Sequence, residues 1–495
     1  MTEKIDRREF FTTAGLLLAA TSTTALADSH IGTATRPNLL IIQTDEHNFR
    51  TLGCYRQTLS PEQAFMWGED AVVETPNIDW IAHNGAICTK FYATTPVCSP
   101  SRASLVSGLY PHNTGVPKND VPMNDNIITF AQILQKQGYA TGYAGKWHLD
   151  GTGKPQWNPE RNFGFADNRY MYNRGHWKQL EDTDGGPRVK TRNKKSPTYS
   201  VDGADEKSFT TDFLTDKTVD FINTHHSGPF CYMVSFPDPH GPDRVRPPYN
   251  TMYSEMTFQK PRTFDKPEQN LPKWASKNKS GYDQSQYFGM VKCIDDNVGK
   301  ILACLRQNNL MDNTIVVFTS DHGDLRGEHH RQNKGVPLEA SAKIPFLIYH
   351  PNKINPGTVV NQALGTVDFT PTILSLIGVP LEEHLEGRNA SALLTTGQAP
   401  EGWDDIVFLR GSGLGANWLA AVTNRYKLII SPQDDPWLID MQTDPDELTN
   451  FCLNPEYSDI VRTLAKELHR YGQKYGDPRI TNKKIAADLK RCAAI

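Results

Sequence analysis

The sequence predicts an α/β fold: a large domain with a mostly parallel sheet flanked by helices, and a smaller C-terminal domain with an antiparallel sheet and a terminal helix. Three observations lead to this prediction. Four short, nearly continuous apolar runs are typical of strands buried on both faces, as in a parallel sheet. Segments with a helical apolar period separate these runs. After about residue 385 the apolar runs become short and alternate with turn residues.

The four apolar runs all end directly before polar residues. We predict buried strands over residues 37–44, 139–145, 230–236 and 313–320, and a further strand over 344–349. The polar residues that follow the four runs are Asp45-Glu46, Lys146 with His148, His240, and Asp321-His322. Because the carboxyl ends of parallel strands meet at one edge of a sheet, where ligands bind, we expect these side chains to form one site.

Helices are predicted between the strands from their apolar spacing and from their start and stop residues. They cover residues 75–84, 125–137, 211–224, 285–309 and 366–377. Residues 151 to about 205 are rich in charged and aromatic side chains, which indicates a long insertion over one end of the sheet. Its aromatic residues suit stacking on sugar rings and packing onto the body equally well.

The C-terminal part of the chain has a different pattern. Short strands are predicted over 406–410, 418–423, 427–430 and 436–440, followed by an amphipathic helix over 458–475. We therefore predict two domains, with the larger one over residues 36–385 and the smaller one over residues 386–495.

Residues 1–27 have the pattern of a twin-arginine export signal. Arg7 and Arg8 precede a modest apolar stretch over 14–20, and Ala25-Leu26-Ala27 offers a small-residue cleavage site. This pattern predicts a periplasmic or secreted protein, and the alternative is an N-terminal tail that is never cleaved.

The composition limits the partners of the protein. The chain has 495 residues, a formal net charge of −4 and 38% hydrophobic residues, which is typical of a soluble globular protein with a sizeable core. The charge balance does not favour nucleic acid, and no apolar run reaches membrane-spanning length. Most of the eight cysteines are expected to be core thiols, and the sequence leaves disulfides open.

A helix start next to Cys98 predicts an anion site. Ser99 suits the N-cap, Pro100 suits the first helical position, and Gly108 suits the end of the helix. Cys98 would then lie just outside a helix N-terminus, where unpaired N–H groups favour negative charge, and Arg102 would add donors for a tetrahedral anion. The alternative is a buried cysteine that merely precedes a helix.

The strand-end residues predict a metal centre beside this anion site. Asp45 and Glu46 form a carboxylate pair that suits a hard cation, and Lys334 stands in a glycine-flanked loop farther along the chain. An alternative is a zinc site on His322, His329 and His330, although their spacing matches none of the helix-borne zinc patterns. A metal, several cations and a nucleophile together suit a sulfate or phosphate ester.

The pentapeptide Cys98-Ser99-Pro100-Ser101-Arg102 resembles the signature of the type I sulfatases. The segments Gly145-Lys146-Trp147-His148 and Ser320-Asp321-His322-Gly323 resemble further landmarks of that family, in family order. The resemblance implies an alkaline-phosphatase-like α/β fold with a smaller C-terminal domain. It also implies that a maturation enzyme oxidises Cys98 to formylglycine (3-oxoalanine), whose aldehyde hydrate attacks the sulfate ester.

The resemblance also implies roles for the site residues. Asp45, Glu46, Asp321 and His322 would bind a divalent metal together with the formylglycine made from Cys98. The sulfate or the hydrate would contact Arg102, Lys146, His148, His240 and Lys334. Many relatives have Asp in place of Glu46 and Asn in place of His322; calcium remains the metal that we expect, although nitrogen is less usual among its ligands.

The implied activity is hydrolysis of sulfate esters, with a sulfated carbohydrate as the expected substrate. His240 would protonate the leaving alkoxide, and His148 would take a proton from the second hydroxyl of the hydrate, so that sulfate is expelled. Two alternatives remain at this point. One is a phosphonate monoester or phosphodiester hydrolase on the same scaffold, and the other is a catalytically silent glycan-binding protein in which Cys98 stays a thiol.

Overall fold

The computed structural model describes residues 36–265, 271–276, 281–415 and 417–494. The predicted export signal over residues 1–27 lies outside the described residues. The strands of the described residues are, in chain order, β1 Asn38–Asp45, β2 Ala86–Cys88, β3 Phe91–Tyr92, β4 Ala140–Lys146, β5 Met171–Tyr172, β6 Leu180–Thr183, β7 Gly186–Val189, β8 Arg192–Asn193, β9 Ser196–Pro197, β10 Phe230–Pro239, β11 Thr314–Ser320, β12 Phe346–Tyr349, β13 Thr358–Val360, β14 Leu364–Gly365, β15 Val407–Arg410, β16 Leu419–Val422, β17 Tyr426–Ile430 and β18 Trp437–Asp440.

The α-helices of the described residues include short one-turn segments and longer elements that cover the sheets. They are α1 Gly53–Arg56, α2 Pro61–Ala64, α3 Pro76–His83, α4 Cys98–Ser107, α5 Phe130–Lys136, α6 Thr210–His225, α7 Tyr249–Met252, α8 Gln284–Gln307, α9 Glu339–Ala342, α10 Phe369–Ile377, α11 Ser391–Thr396, α12 Ser458–Lys474 and α13 Lys483–Ala494.

The central sheet has eight strands in the order β13-β2-β12-β11-β1-β10-β4-β5. The five strands β11, β1, β10, β4 and β5 are parallel to one another, whereas β12 is antiparallel to both β11 and β2. The mostly parallel α/β fold that the sequence predicts is therefore confirmed. The four predicted buried strands correspond to β1, β4, β10 and β11.

The central strand β1 is buried on both faces. Leu39 and Ile41 contact the apolar cluster that includes residues of α4, α5 and α10, and Leu40 and Ile42 contact the cluster that includes residues of α3, α6 and α8. Alternate side chains of a strand point to opposite faces, so a strand covered on both sides needs a continuous apolar run. This explains the continuous apolar run Leu39–Ile42, after which the polar residues Gln43, Thr44 and Asp45 are still buried as the strand reaches the edge of the sheet.

The C-terminal part forms a separate antiparallel sheet in the order β15-β16-β17-β18. The helix α12 covers it with one apolar side, and Val461, Leu464 and Leu468 are buried there. This sheet and the terminal helix were predicted; the second helix, α13, was not. The domain boundary near residue 385 stays a prediction.

Two predicted helix starts are corrected by the structure. The helix expected over 125–137 begins only at Phe130, because Thr129 and Gln132 form a capping box that fixes its start. The helix α4 begins at Cys98 with Val97 as its N-cap, so Ser99 is inside the first turn and its hydroxyl caps nothing. The predicted end of α4 is correct, since Gly108 has a left-handed φ of 71°.

The insertion over residues 151–205 packs mainly onto the body. Phe163, Phe165, Tyr172 and Trp177 are buried, and Trp157 packs edge-on against Tyr172. The aromatic side chains of this segment therefore serve chiefly to hold the insertion in place. Within the described part of the chain, no helix combines the length and the apolar character needed to cross a bilayer.

Candidate active site

The predicted polar residues meet at the carboxyl edge of the central sheet. Strand β1 ends at Asp45, which lies opposite Pro239 at the end of β10, and Thr44 lies opposite Ser320 at the end of β11. Strand β4 ends at Lys146 on the other side of β10. Because parallel strands deliver their ends to one edge, side chains that are distant in sequence become neighbours in space.

The backbone is strained at two of these strand ends. Glu46 and His148 adopt left-handed φ values of 63° and 61°, which non-glycine residues rarely do. Gly145, directly before Lys146, has a φ of 101°, and a Cβ atom there would lie 2.0 Å from the carbonyl oxygen of Ser235. Only glycine therefore allows β4 to approach β10 closely at this point.

Cys98 lies at the first residue of α4, inside the cluster of strand-end side chains. Its Sγ is 3.2 Å from His322 Nε2 and 3.9 Å from Asp45 Oδ1. Burial and Asp45 act to raise the pKa of the thiol, but Lys146, Lys334 and His322 outweigh them and hold it well below its ordinary value. The surroundings of Cys98 therefore favour an anion at this position, as the sequence predicted.

Arg102 lies one helical turn after Cys98 and beneath it. Its Nε donates to Asp321 Oδ2 at 2.8 Å, and its Nη2 donates to Asp45 Oδ2 at 3.2 Å. Its Nη1 donates to the carbonyl oxygen of Lys146 and to Ser235 Oγ, each at 2.7 Å. The guanidinium therefore holds the two carboxylates in place, and its predicted contact with a bound anion remains a prediction.

Four buried side chains form a candidate metal centre. Single ligand atoms of Asp45, Cys98, Asp321 and His322 all lie within 4.8 Å of one another. Nδ1 of His322 is 2.9 Å from the carbonyl oxygen of Gly323, a contact that fits an N–H donor. In the neutral ring this leaves Nε2 with a lone pair that faces Cys98 and the carboxylates, the usual arrangement of a metal-binding histidine.

The charges in this cluster are also consistent with a cation site. Burial and the Asp45 charge raise the pKa of Asp321. Burial would lower the pKa of His322, but Asp321 and Cys98 raise it to about 9. A divalent cation competes with protons for such ligand atoms, so a carboxylate whose pKa is raised by a neighbouring carboxylate favours a bound cation. The donor set of two carboxylates and one imidazole suits such an ion.

Glu46 is not among the clustered ligand atoms, although the resemblance assigns it to the metal. Its Oε2 lies 3.0 Å from His240 Nε2, and its Oε1 lies 3.1 Å from Lys334 Nζ. Burial acts to raise the pKa of Glu46, but His240 and Lys334 lower it far below its ordinary value. Lys334 Nζ is also 2.7 Å from His240 Nε2, so the three side chains form a proton-sharing group.

His176 is a site residue that the sequence analysis missed. Its ring stacks on His240 with 3.5 Å between centroids, and its Nε2 lies 2.8 Å from Lys146 Nζ. Lys146 in turn forms a buried ion pair with Asp45. Burial, His240 and Lys146 lower the pKa of His176, so a neutral ring accepts the lysine hydrogen bond. The only signal in the sequence was its place in the aromatic insertion.

His148 lies on another side of the site. Its Nε2 is 2.9 Å from Asp120 Oδ1, and the preceding residue, Asn119, accepts a hydrogen bond from the backbone N–H of Ser99 at 2.9 Å. The segment that orients His148 therefore also contacts the start of α4. His148 Nδ1 is buried without a partner among the described residues.

The alternative zinc site does not form among the described residues. His329 and His330 do not share a ligand cluster with His322. His330 stacks on Phe264 with 4.1 Å between centroids, and His329 is buried with its backbone N–H on Thr263. The structure corrects this alternative, because the loop after Asp324 carries both histidines away from the sheet edge.

The comparisons with known proteins agree with this geometry. The sulfatase family model matches residues 37–379, and a model described as N-sulphoglucosamine sulphohydrolase, C-terminal, matches residues 327–474. An ulvan-active sulfatase of Formosa agariphila is 28% identical over 464 residues, which cover 90% of this chain and 82% of that one. An N-acetylglucosamine-6-O-sulfatase of Bacteroides thetaiotaomicron is 26% identical over 542 residues, and the match covers 93% of this chain and 91% of that one.

A solved structure has the same fold. It is a complex with its substrate D-glucosamine-2-N,6-O-disulfate, and it superposes with a TM-score of 0.75 at 23% identity, covering 91% of this chain and 99% of that one. The family model alone spans well over half of the sequence. A cysteine at a helix start, a buried carboxylate and histidine cluster and a matching fold thus lead to one conclusion: the chain belongs to the sulfatase family and is a sulfuric ester hydrolase.

Proposed function

We propose that this enzyme hydrolyses sulfate esters of a sulfated carbohydrate, using a formylglycine made from Cys98 and one bound divalent metal. The observation that carries the proposal is the place of Cys98. Its sulfur lies 3.2 Å from His322 Nε2, within a set of candidate metal ligands, and Lys146 and Lys334 act on it electrostatically. A cysteine that only packs in a hydrophobic core would need neither metal-binding side chains nor lysines around its sulfur.

The metal would be held by Asp45, Asp321 and His322 together with residue 98. The ion would act as a Lewis acid, and the formylglycine hydrate would supply the hydroxyl that attacks sulfur. Two carboxylates favour a hard cation, and calcium is the ion that we propose. Glu46 faces His240 and Lys334, so this chain would hold the ion with one carboxylate fewer than the resemblance implies.

The remaining side chains are placed to handle charge and protons. Lys146 and Lys334 would neutralise the negative charge that builds up on the transferring sulfuryl group. His240 would deliver a proton to the leaving alkoxide, and the Glu46 carboxylate, 3.0 Å from its Nε2, would hold the proton-bearing form in place. His148, oriented by Asp120, would remove the proton whose loss expels sulfate.

Two observations support a carbohydrate substrate. The relatives reported above include enzymes named for ulvan and for N-acetylglucosamine 6-sulfate. The twin-arginine pattern in residues 1–27 supports a periplasmic or secreted enzyme. An enzyme in that location has access to extracellular polysaccharides. Oxidation of Cys98 would require a maturation enzyme in the producing cell. The family match favours sulfate esters over the phosphonate monoester and phosphodiester alternative.

The proposal is tested on protein produced with the maturation machinery. Mass spectrometry of the peptide containing Cys98 should show the aldehyde, and a panel of sulfated glycans should release sulfate. Cys98→Ala should lower sulfate release by about 10⁴-fold or more, because the nucleophile is lost. Cys231→Ala is the matched control: Cys231 is equally buried but lies within β10, in the core.

Two outcomes would contradict the proposal. One is an unmodified Cys98 thiol in fully active protein, and the other is faster turnover of a phosphonate or phosphate diester than of the sulfate ester with the same leaving group.

A further inference from the structure

A groove walled largely by residues with polar or charged side chains lies beside the mouth of the active site. It has a volume of about 680 Å³ and is lined by residues of the insertion and of the segment after His240, among them Arg192, Tyr199, Asp202, Pro242 and Arg244. A groove of this size is large enough for one or two sugar rings. None of these residues belongs to the catalytic groups described above.

Two connections join the groove to the active site. Tyr199 stacks on Trp177 with 4.8 Å between ring centroids, and the neighbour of Trp177, His176, stacks on His240. Pro242, on the other wall, follows His240 by two residues. The side chains of His176 and His240 are 22% and 16% exposed, whereas Asp45 and His322 are fully buried, so the two histidines lie towards solvent. The groove therefore extends the site outward on the histidine side.

The charges of the groove suit an anion. Arg192 and Arg244 are exposed, and neither forms an ion pair within the described part of the chain. The neighbouring Asp243 forms its ion pair with Arg326, whose Nη1 donates to Asp243 Oδ2 at 3.0 Å, and the same oxygen accepts from the Asp283 N–H at 2.8 Å. The one acid in the groove wall, Asp202, accepts a hydrogen bond from Ser200 Oγ at 2.8 Å.

We propose that this groove binds a second anionic group of the substrate, a sulfate or carboxylate on the sugar next to the one that loses its sulfate. The inference rests on the proposed function and narrows its substrate class to oligosaccharides that carry more than one acidic group. Guanidinium groups bind such oxyanions through paired hydrogen bonds, which a lone aryl or alkyl sulfate cannot use here. Asp202 would disfavour an anion on its own side of the groove and so fix the position of the sugar.

The test separates binding in the groove from chemistry at Cys98. A panel of oligosaccharides from ulvan, heparin and carrageenan, each with one sulfate or with several, is titrated calorimetrically against Cys98→Ala protein. Arg192→Gln and Arg244→Gln are added in the same background, singly and together. Lys195→Gln is the matched control, because Lys195 is exposed in the same hairpin but does not line the groove.

Multiply charged oligosaccharides should bind more tightly than their singly charged counterparts. Each arginine variant should raise the dissociation constant for the preferred oligosaccharide about tenfold, which corresponds to the loss of one charge-assisted hydrogen bond. Lys195→Gln should change its affinity less than twofold. With Cys98 intact, the arginine variants should raise KM for that oligosaccharide and leave kcat/KM for 4-nitrophenyl sulfate within twofold.

The inference is overturned if no oligosaccharide gains affinity from a second acidic group. It is also overturned if the arginine variants weaken binding of the oligosaccharide no more than Lys195→Gln does. A third contradicting result is that the variants lower kcat/KM for 4-nitrophenyl sulfate as much as they lower kcat/KM for the oligosaccharide. Loss of all sulfate release by the wild-type enzyme would count against the proposed function instead, because the affinities measured with Cys98→Ala do not depend on turnover.

Discussion

Two clusters of charged side chains in this molecule are similarly buried, but they differ in how many of their polar atoms have a hydrogen-bond or ion-pair partner. The first is the catalytic cluster of Asp45, Glu46, Arg102, Lys146, Asp321 and His322. The second, which we call the interlock cluster, joins the loop and helix after Lys334 to the C-terminal sheet, and its members are Tyr92, Glu339, Lys343, Lys427 and Glu447. The side chains of both clusters are at most 7% exposed.

Each carboxylate oxygen of the interlock cluster has a donor. Lys427 Nζ lies 3.0 Å from Glu339 Oε1 and 2.8 Å from Glu447 Oε1. The second Glu447 oxygen accepts from the Glu339 N–H at 2.7 Å, and the second Glu339 oxygen faces Lys343 Nζ at 3.1 Å. A fully paired network of this kind fixes how two parts of a fold meet and leaves nothing for a ligand.

The catalytic cluster is paired on one side only. Arg102 and Lys146 neutralise Asp45 through its Oδ2, whereas Asp45 Oδ1 lies 3.6 Å from His322 Nε2 and 3.9 Å from the Cys98 sulfur, so within the described part of the chain it has no hydrogen bond of ordinary N–H···O or O–H···O length. The side-chain hydroxyls of Thr95, Ser99 and Ser101, near Cys98, also have no partner there. Buried polar atoms without partners are costly and are kept chiefly where function needs them. Removing a charge from the catalytic cluster should therefore reduce activity, and removing one from the interlock cluster should reduce stability.

Of the substitutions that test this contrast between the two clusters, Glu46→Gln should have the largest effect. The change removes the charge that faces His240 and Lys334, so kcat should fall by about 10²- to 10⁴-fold, the range of general acid and base catalysis. Because Glu46 is not among the clustered ligand atoms, metal bound per chain should stay unchanged. Asp321→Asn should instead lower the metal content. Turnover of a sulfate ester and metal analysis of the purified protein measure both quantities.

The two variants together decide whether Glu46 is a ligand. If Glu46→Gln loses metal in the same proportion as Asp321→Asn, the carboxylate binds the ion and our assignment to the proton-sharing group is wrong. Melting temperatures close to that of the wild type would show that neither result comes from unfolding.

A smaller effect, and on stability rather than activity, is expected from Lys427→Met. The change leaves Glu339 and Glu447 buried with too few cations, so the free energy of unfolding should fall by about 3–5 kcal/mol. The folded fraction should keep its kcat, because the interlock cluster contacts no catalytic group. Chemical denaturation monitored by fluorescence gives the first quantity and an assay at low temperature gives the second.

A surface lysine provides the control for this prediction. Lys484 pairs with Asp488 four residues later and is 40% exposed, so Lys484→Met should cost less than about 1 kcal/mol. If Lys427→Met costs no more than this, or if it lowers kcat while the protein stays folded, the contrast between the two clusters fails.

The part of the site that the sequence predicted came from local patterns. Buried strands have continuous apolar runs, and the polar residues after them must meet where parallel strands end, which brought Asp45, Lys146, Asp321 and His322 together correctly. The Cys98 segment was predicted in the same way, from residues that start and end a helix. These signals depend only on near neighbours in the chain.

The part that the sequence could not predict depends on tertiary packing. His176 lies in an insertion without regular periodicity, and it reaches the site only because Trp177 and Tyr172 pack onto the body. Arg102 was expected to face an anion, yet α4 starts at Cys98, and one turn later Arg102 meets the carboxylates beneath the helix. The orientation of Glu46 towards His240 likewise depends on Lys334, which is 288 residues away (334 − 46).

The smallest expected effect is a pH dependence of the free energy of unfolding, and it comes from Lys343 in the interlock cluster. Burial lowers the pKa of Lys343 to about 7, helped by Lys90 and Arg50 and opposed by Glu339. Since the folded pKa lies below the unfolded value of 10.5, the unfolded chain binds more protons between these limits, and stability must rise with pH across that window. We expect the wild type to gain about 1 kcal/mol per pH unit relative to Lys343→Met between about pH 7 and pH 9. Urea unfolding of both proteins across that range measures the difference, and Lys484→Met should run parallel to the wild type. Parallel curves for Lys343→Met would mean that this lysine keeps its proton in the fold and that the interlock cluster is more strongly paired than its burial implies.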